Sequence, residues 1–192
     1  MSFLKLKKLV LEKYGAEIPA YLTYHGTHHI IDVLNSCNQY IKRYKLDQQD
    51  SRLLRTAAIF HDVGILWSYD GHEAMGISYL KNILPNWKYS PEEIEVICLM
   101  ISATKIPQSP KTLLDQILCD ADLDYLGTNN FYKIGTTLYH ELKALGIISN
   151  EKEWDQLQIV FLNNHHYHTS FAKKHRAPKK EKFKQELIDK YK

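Results

Sequence analysis

Histidine and acidic side chains are concentrated in four short segments of this 192-residue chain. The segments are Tyr24–Asp32, His61-Asp62, His72-Glu73 and Asp120–Asp124, and the chain has ten histidines in all. Neutral imidazole and carboxylate groups are common ligands of divalent transition metals. A metal held by two histidines and two aspartates would keep positions open for water and could lower the pKa of that water toward neutrality. The residue types therefore predict a water nucleophile that a metal activates.

The spacing within these segments favours a shared site. His25 and His29 are four residues apart, so they lie on one face of a helix that begins early enough. The adjacent pair His61-Asp62 at a helix end would supply two ligands from one turn. The segment Asp120–Asp124 follows the apolar run Leu113–Cys119, and carboxylates so close repel one another unless a cation lies among them. Spacing alone leaves open which aspartate of this segment is a ligand.

Apolar residues recur at helical spacing over most of the chain, and no segment alternates as a strand would. The fold class predicted is all-α. Ser90-Pro91-Glu92-Glu93 is a capping-box start, and Ser109-Pro110 is expected to start another helix. The last helix, Lys179 to Tyr191, is expected to be exposed. The eight or nine helices expected lie near residues 3–14, 28–44, 53–61, 71–84, 91–101, 109–118, 131–145, 151–161 and 179–191.

The charge distribution suggests a domain and a tail. Residues 172–192 hold nine Lys or Arg against three Asp or Glu, whereas residues 1–171 carry a net charge of −3. We expect one all-α domain over residues 1–171, with its motif core at about 20–130, and a basic helical tail over 172–192. Such a tail can contact nucleic acid or phosphate. Since no recognition module accompanies it, a solvated amphipathic end is favoured and nucleic acid is disfavoured as a partner.

Several features restrict the compartment and the partners. No apolar run approaches the roughly 18 residues that a membrane span needs, and the Lys-Leu alternation at the N-terminus lacks the features of a signal peptide. The three cysteines contain no CxxC pair and are expected to be buried thiols of a cytoplasmic protein. A membrane is therefore not an expected partner. A homodimer is compatible with the sequence.

The ordered pattern H…HD…D resembles that of the HD-domain metal-dependent phosphohydrolases. Tyr24–Val33, which reads Y-H-G-T-H-H-I-I-D-V, is also similar to the Y-H-N-x-x-H-x-x-D-V signature of cyclic-nucleotide phosphodiesterases. The resemblance covers about residues 20–130 and implies an all-α bundle around a divalent metal. His25 matches the phosphodiesterase histidine that protonates the leaving group, and the A-D-L form of the last motif favours Asp122 over Asp120. The implied metal ligands are His29, His61, Asp62 and Asp122.

The chain departs from the resembling families at several positions. The signature Asn is replaced by Gly26, and no purine-clamping Gln can be located. Val63-Gly64-Ile65 follows the HD pair where hydrolases of the guanosine alarmone have an acidic pair, which disfavours that activity. A second metal would need further histidines, and His72 could serve, but the segment Cys98–Thr104 lacks the expected His-His pair. One metal is therefore favoured over two.

Further candidate catalytic residues lie near the motif. Asp62 is expected to take part in catalysis as well as in metal binding. His72 and Glu73 are candidates for a base or for groups that orient the attacking water. The alternative is a helix N-terminal pair in which Glu73 complements the dipole. Asp32 is expected to orient a ligand histidine through its second ring nitrogen or to cap a neighbouring group.

Candidate substrate-binding residues lie further along the chain. Lys105, at a helix end, could contact a phosphate, although a lysine there also complements the C-terminal dipole. His165 and Tyr167 belong to the polar segment Asn163–Thr169, which could form a pocket wall for phosphate or sugar hydroxyls. The alternative for this segment is a locally packed, capped loop.

These observations together predict an enzyme. We expect a metal-dependent phosphohydrolase that hydrolyses a phosphate ester or anhydride, with a nucleotide as the favoured substrate. The single divalent ion could be magnesium, manganese, iron, cobalt, nickel or zinc, because His/Asp sites accept all of them. The alternative is a non-catalytic sensor that binds a nucleotide or a metal on the same fold. Turnover would distinguish the two.

Overall fold

The computed structural model describes residues 2–192, which form ten α-helices and no β-strand. The all-α prediction is therefore confirmed. Three short 3-10 helices lie at Val63–Leu66, Leu84–Trp87 and Asp124–Gly127. The α-helices are α1 (Phe3–Glu17), α2 (Thr27–Tyr44), α3 (Gln48–Phe60), α4 (His72–Ile83), α5 (Pro91–Thr104), α6 (Leu113–Asp122), α7 (Phe131–Ala144), α8 (Glu151–Asn164), α9 (Ser170–His175) and α10 (Ala177–Asp189).

The described residues divide into two units. The first contains residues 2–19 and 25–122, and the second contains residues 20–24 and 123–192. In the first unit α3 and α6 both pack against α2, and α5 packs against α3 and α6. The apolar stripe predicted on α2 is buried: Ile30, Val33, Leu34, Cys37 and Ile41. The second unit has its own apolar core, formed largely by Leu123, Leu126, Phe131, Leu162, Tyr167, Ala172, Phe183 and Leu187.

Side-chain caps set the starts of two helices of the first unit. Asp47 caps α3 by accepting a hydrogen bond from the backbone N–H of Asp50 at 2.8 Å. The predicted capping box of α5 is present, because Ser90 Oγ accepts from Glu93 N–H and Glu93 Oε2 accepts from Ser90 N–H. These caps satisfy donors that have no partner within the helix.

One helix start was predicted wrongly, and one helix was not predicted. The helix expected from Ser109-Pro110 begins instead at Leu113, because Thr112 and Asp115 cap each other there: Asp115 N–H donates to Thr112 Oγ1 at 3.2 Å and Thr112 N–H donates to Asp115 Oδ2 at 2.9 Å. The short helix α9 was not predicted. Its N-cap is Thr169, whose hydroxyl accepts from the N–H of Ala172.

The prediction of an exposed last helix was also wrong. α10 buries Lys180, Phe183 and Leu187 within the second unit. The ring of Phe183 stacks on that of Phe131 with centroids 4.7 Å apart. The Lys180 ammonium donates to the carbonyl of Leu162 at 2.9 Å and to that of His165. Two apolar side chains and one lysine thus form a buried face. The high lysine content of this helix led to the prediction that it is exposed.

Two further expectations concern the chain as a whole. Within residues 2–192, no helix combines the length and the apolar character that crossing a bilayer requires. Cys37, Cys98 and Cys119 are all buried, and none of them forms a disulfide. The cysteines therefore contribute to packing in the first unit, as their number and spacing indicate.

Candidate metal centre

Three helix ends of the first unit carry the four residues that the sequence predicts as metal ligands. His29 lies in the first turn of α2, His61 and Asp62 follow the last residue of α3, and Asp122 is the last residue of α6. Because α3 and α6 both pack against α2, these ends meet. All four residues belong to the first unit.

The ligand atoms of these four residues lie close together. Nε2 of His29 is 3.0 Å from Asp122 Oδ1, 3.2 Å from Asp62 Oδ2 and 3.3 Å from Nε2 of His61. Nε2 of His61 is 3.1 Å from Asp62 Oδ2. Such separations suit neighbouring ligands of one ion, for which metal–ligand distances are about 2.0–2.2 Å. We call His29, His61, Asp62 and Asp122 the metal cluster.

One oxygen of the cluster supports the fit of a cation. Asp62 Oδ2 is buried, and among residues 2–192 no hydrogen bond of normal geometry reaches it. A buried carboxylate oxygen without a donor is costly. A cation between this oxygen and the two imidazole nitrogens would satisfy it. The donor set of nitrogen and carboxylate oxygen suits the divalent ions that the sequence predicts.

A backbone carbonyl fixes the orientation of one ligand histidine. Nδ1 of His61 lies 2.8 Å from the carbonyl oxygen of Ala58, and a carbonyl can only accept, so Nδ1 carries a proton. In the neutral ring, the lone pair of Nε2 then faces the cluster.

The prediction that Asp32 orients a ligand histidine was wrong. Asp32 is exposed, and no hydrogen bond or ion pair joins it to another residue of the described range.

The histidines and aspartates of the metal cluster shift each other's pKa values. Burial alone would lower the pKa of His29, but the hydrogen bond to Asp122 and the charges of Asp62 and Asp122 raise it to about 9. Burial would raise the pKa of Asp122, but the imidazoles of His29 and His61 lower it to about 2. The pKa of Asp62 is held well below its usual range by the same histidines against its burial. In the metal-free protein the histidines therefore act as cations toward the carboxylates.

Three further predicted residues lie beside the cluster. Nε2 of His72 is 3.4 Å from Asp62 Oδ1 and 3.5 Å from Glu73 Oε1, and Nδ1 of His72 donates to the carbonyl of Tyr69 at 2.9 Å. The ring of His25 lies 6.0 Å from that of His29 and 5.9 Å from that of His72. The two oxygens of Asp62 therefore face different histidines. His25, His72 and Glu73 line one side of the cluster.

A glycine places His72 there, and the sequence analysis missed it. Gly64 lies in the 3-10 helix Val63–Leu66, which packs against the start of α4. A Cβ at Gly64 would overlap the carbonyl oxygen of His72 and the backbone nitrogen of Gly76. Only glycine permits this backbone contact. Nothing in the sequence alone indicates the segment against which Gly64 packs.

The structure does not bring every predicted site residue to the cluster. Lys105 is exposed at the C-cap of α5, and no hydrogen bond or ion pair joins it to the cluster, so its role in phosphate binding stays a prediction. His165 and Tyr167 are buried in the second unit with their rings 4.8 Å apart. The Tyr167 hydroxyl donates to the carbonyl of Leu123 at 3.1 Å. Both residues serve the packing of that unit, and their role in substrate binding stays a prediction.

The three aspartates of the segment Asp120–Asp124 have different surroundings. Asp122 faces His29, whereas Asp120 is fully buried along α6. In the second unit, Asp124 accepts a hydrogen bond from Nε of Arg176 at 2.7 Å. Asp122 is therefore the aspartate of this segment that the structure brings to the histidines.

Comparison with known proteins agrees with this arrangement. Residues 26–124, more than half of the chain, match the family model of the HD domain. Among solved structures, the chain is similar to a predicted HD superfamily hydrolase from an uncultured Thermotogales bacterium, with 18% sequence identity and a TM-score of 0.62. That likeness covers 98% of this chain and 90% of the other, and it shows the fold. A search of curated proteins found no match.

The matched segment includes every residue of the metal cluster. It begins just before His29, contains the His61-Asp62 pair, and ends two residues after Asp122. The order of these residues along the chain is the H…HD…D order that the sequence analysis recognised. The chain belongs to the HD domain family.

Proposed function

We propose that the metal cluster holds one divalent metal ion and that the protein is a metal-dependent phosphohydrolase. The observation that supports this proposal is that His29 and His61 each place Nε2 within 3.0–3.5 Å of a carboxylate oxygen of Asp62 and of Asp122, at the ends of three packed helices. When bound, the ion would act as a Lewis acid toward a phosphate oxygen and lower the pKa of a coordinated water.

The residues of the metal cluster would hold the ion through side chains whose orientation the structure fixes. His61 is fixed by Ala58 so that Nε2 points inward, and Asp62 offers its buried Oδ2 to the same point. Oδ1 of Asp62 lies on the side of His72. This arrangement leaves Asp62 as the residue that joins the ligand set to the neighbouring histidine. The loss of Asp62 should therefore disturb both.

The two histidines beside the cluster have different proposed roles. We propose that His25 protonates the leaving oxygen, because its ring is half-buried and adjacent to the rings of His29 and His72. The hydroxyl of Tyr14 donates to the His25 carbonyl at 2.7 Å and so fixes its backbone. We propose that His72, with Glu73 at 3.5 Å, orients the attacking water.

The proposed substrate is a phosphate ester or anhydride of a nucleotide. The similarity of Tyr24–Val33 to the phosphodiesterase signature supports this class. Tyr69 adds an aromatic ring beside the proposed acid, since its centroid is 5.6 Å from that of His25. An aromatic face at this position could stack on a base.

The test is the metal content of the purified protein, compared with that of Asp62→Ala. Elemental mass spectrometry should find close to one metal per chain in the wild type and a loss of that metal in the variant, because the variant lacks an oxygen that faces both ligand histidines. Phosphate release from a panel of nucleotides should disappear together with the metal. Asp32→Ala is the matched control: it removes an exposed carboxylate on the same helix as His29 and should keep both metal and activity.

Each alternative outcome has a meaning. Full phosphatase activity in metal-replete Asp62→Ala would contradict the assignment of the ligands. Stoichiometric metal without turnover of any phosphate ester or anhydride would favour the binding-module alternative over the enzyme. Equal metal loss in Asp32→Ala would show that the loss does not report on the cluster.

A further inference from the structure

An open groove of about 570 Å³ runs along the exposed side of α1 and the start of α2, within the first unit. It contains no residue of the metal cluster or of the histidine group beside it. Leu4 lines this groove and is 71% exposed, the highest value for a large apolar side chain in residues 2–192. Leu11 and Ile31 line it as well. Exposed apolar side chains that adjoin charged ones are typical of an interface with another molecule.

The residues that α1 contributes to the groove include a repeat that is typical of helix pairing. Four of them are spaced by four, three and four residues: Leu4, Lys8, Leu11 and Gly15. This is the alternation of the a and d positions of a heptad, at which one helix of a coiled coil contacts the next. A different face of α1 is buried within the first unit through Leu6, Val10 and Tyr14. The exposed repeat, which we call the α1 seam, is therefore available to a second helix.

The α1 seam is complementary to a second copy of itself that runs in the opposite direction. Across a two-fold axis, Leu4 of each chain lies opposite Gly15 of the other. In the next layer Lys8 lies opposite Leu11. The most exposed apolar side chain thus meets the position that has no side chain. The hollow at Gly15 is backed by α2, because a Cβ there would lie 3.4 Å from the methyl group of Thr27. A parallel pair would instead place Lys8 against Lys8 and leave Gly15 facing Gly15.

Charges beside the α1 seam favour the same direction. The positions that directly follow the two leucines flank the seam, and in an antiparallel pair they face each other. These positions hold Lys5 and Glu12, so Lys5 of each copy faces Glu12 of the other. Both side chains are exposed. Within one chain Glu12 lies 3.6 Å from Lys8, but an ion pair so exposed contributes little to stability. Glu12 can therefore exchange this partner for Lys5 of the second copy.

We propose that α1 forms the interface of a homodimer, in which the α1 seams of two copies of this chain pair antiparallel. Ile31 of α2 lies beside the seam and extends the apolar contact. Lys8 fixes the register at a cost in affinity, as a polar residue at such a position does. Since α1 has 15 residues, or about two heptads, the dimer should be weak and should exchange with the monomer.

Sedimentation equilibrium of the full chain tests the association itself. Between about 5 and 500 µM, the mean mass should rise from the 22.5 kDa of one chain toward twice that value. A mass that stays at one chain at the highest concentration overturns the proposal. Vesicles of phosphatidylserine are a further probe, because leucines and lysines on one helix also suit an anionic lipid surface. Co-sedimentation of a monomeric protein with these vesicles would assign the groove to lipid and contradict the dimer.

Two charge reversals test the direction of pairing. Lys5→Glu places two carboxylates at each charged contact of its own homodimer, and Glu12→Lys places two ammonium groups there. Each variant alone should therefore sediment as a monomer. An equimolar mixture of the two restores opposite charges at both contacts and should sediment as a dimer. A mixture that stays monomeric, or single variants that associate as the wild type does, would show that these positions do not meet.

Leu4→Ala tests the location, and Leu9→Ala is its matched control. Leu4→Ala removes the side chain that fills the hollow at Gly15 and should weaken association about tenfold, which corresponds to about 1.4 kcal/mol. Leu9 is on the same helix and 42% exposed, but it lies outside the seam, so its loss should leave the affinity unchanged. Equal weakening by both variants would contradict the seam. Thermal unfolding verifies the fold of each variant. These experiments need neither a metal nor turnover, so their outcome is independent of the proposed function.

Discussion

A metal ion bound at the metal cluster would compete with protons for the same atoms. In the metal-free protein Nε2 of His29 donates to Asp122 Oδ1, and the carboxylates hold the pKa of His29 at about 9 although its burial opposes this. The pKa of Asp122 is lowered to about 2 by the same pairing. A metal must displace these protons, because imidazole binds metal only through a deprotonated nitrogen.

The stability of the metal-free protein should therefore depend on pH through His29. The folded-state pKa of about 9 lies above the ordinary value of 6.5. The contribution of His29 to stability is thus complete below about pH 6.5 and is lost as the pH rises through 9. Its size should be on the order of 1–3 kcal/mol. Urea unfolding of chelator-treated protein between pH 6 and 9.5 measures it.

His29→Gln is the control for this experiment. The variant keeps a polar side chain of similar reach but cannot take up the proton, so its unfolding free energy should change less over the same pH range. An equal pH dependence in the wild type and the variant would show that another group is responsible.

At the residue scale, the sequence predicted the ligand types and their order but not what orients them. The order of His29, His61-Asp62 and Asp122 along the chain is visible because these are chemically distinctive residues. The group that orients His61 is the carbonyl of Ala58, and every residue has such a carbonyl. The role assigned to Asp32 was wrong for this reason: a carboxylate is conspicuous in a sequence, whereas a backbone acceptor is not.

At the scale of helices, the position of α4 determines where His72 lies. The 3-10 helix Val63–Leu66 and the start of α4 approach so closely that Gly64 contacts the backbone of His72 and Gly76. Gly71, which directly precedes the first residue of α4, has a left-handed backbone conformation with φ of 70°. The chain thus reverses between His61-Asp62 and His72 within a short segment, which brings the imidazole of His72 to Asp62.

Gly64→Ala should strongly destabilise the first unit. The added methyl group overlaps backbone atoms, which cannot move as a side-chain tip can, so the loss should exceed about 3 kcal/mol. Chemical denaturation measures it. Gly146→Ala is the comparison, since Gly146 has a φ of 70° in open space and should cost only about 1–2 kcal/mol. Similar losses for both would contradict the role of close packing at Gly64.

Lys180→Met should destabilise the second unit. The variant keeps the apolar stem but removes the ammonium that caps α8 through the carbonyls of Leu162 and His165. The cost expected for the buried carbonyls left without a donor is about 1–3 kcal/mol. Lys182→Met, at an exposed position of the same helix, should change stability by less than about 0.5 kcal/mol. Equal losses of stability at the two positions would show that the ammonium of Lys180 contributes no more than that of an exposed lysine.

A complete capping box could be predicted from the sequence, whereas a choice between neighbouring caps and the burial of a helix face could not. The Ser90 capping box was predicted because both partners lie within four residues. The start at Ser109 was wrong because Thr112 and Asp115, a few residues later, form a better cap. The buried side of α10 was missed since Lys180 finds its partners on another helix, at positions that no local pattern encodes.

At the scale of the whole molecule, the basic tail is less basic than its composition indicates. Lys180 is buried, and Arg176 pairs with Asp124. Four more lysines of residues 172–192 lie within 4 Å of a carboxylate: Lys182, Lys184, Lys190 and Lys192. The tail therefore serves the second unit as a packed and paired element.

If the metal cluster binds the proposed ion, its removal should affect the two units differently. All four residues of the metal cluster belong to the first unit, so a bound ion would stabilise that unit through the free energy of binding. Hydrogen exchange with mass spectrometry, before and after chelation, should show faster exchange in α2, α3 and α6 and little change in α7, α8 and α10. Equal acceleration in all six helices would show that the units open together.

The order in which the chain is synthesised imposes a delay on the second unit. Its segment 20–24 leaves the ribosome before α7 does, yet the backbone N–H of Tyr24 donates to Glu141, 117 residues later, and the hydroxyl of Thr23 donates to the carbonyl of Thr137. Until α7 emerges, these groups have no partner from that helix. Contacts so distant in sequence slow folding. Completion of the second unit therefore has to wait for the synthesis of α7, and a nascent chain stalled before α7 would lack these contacts.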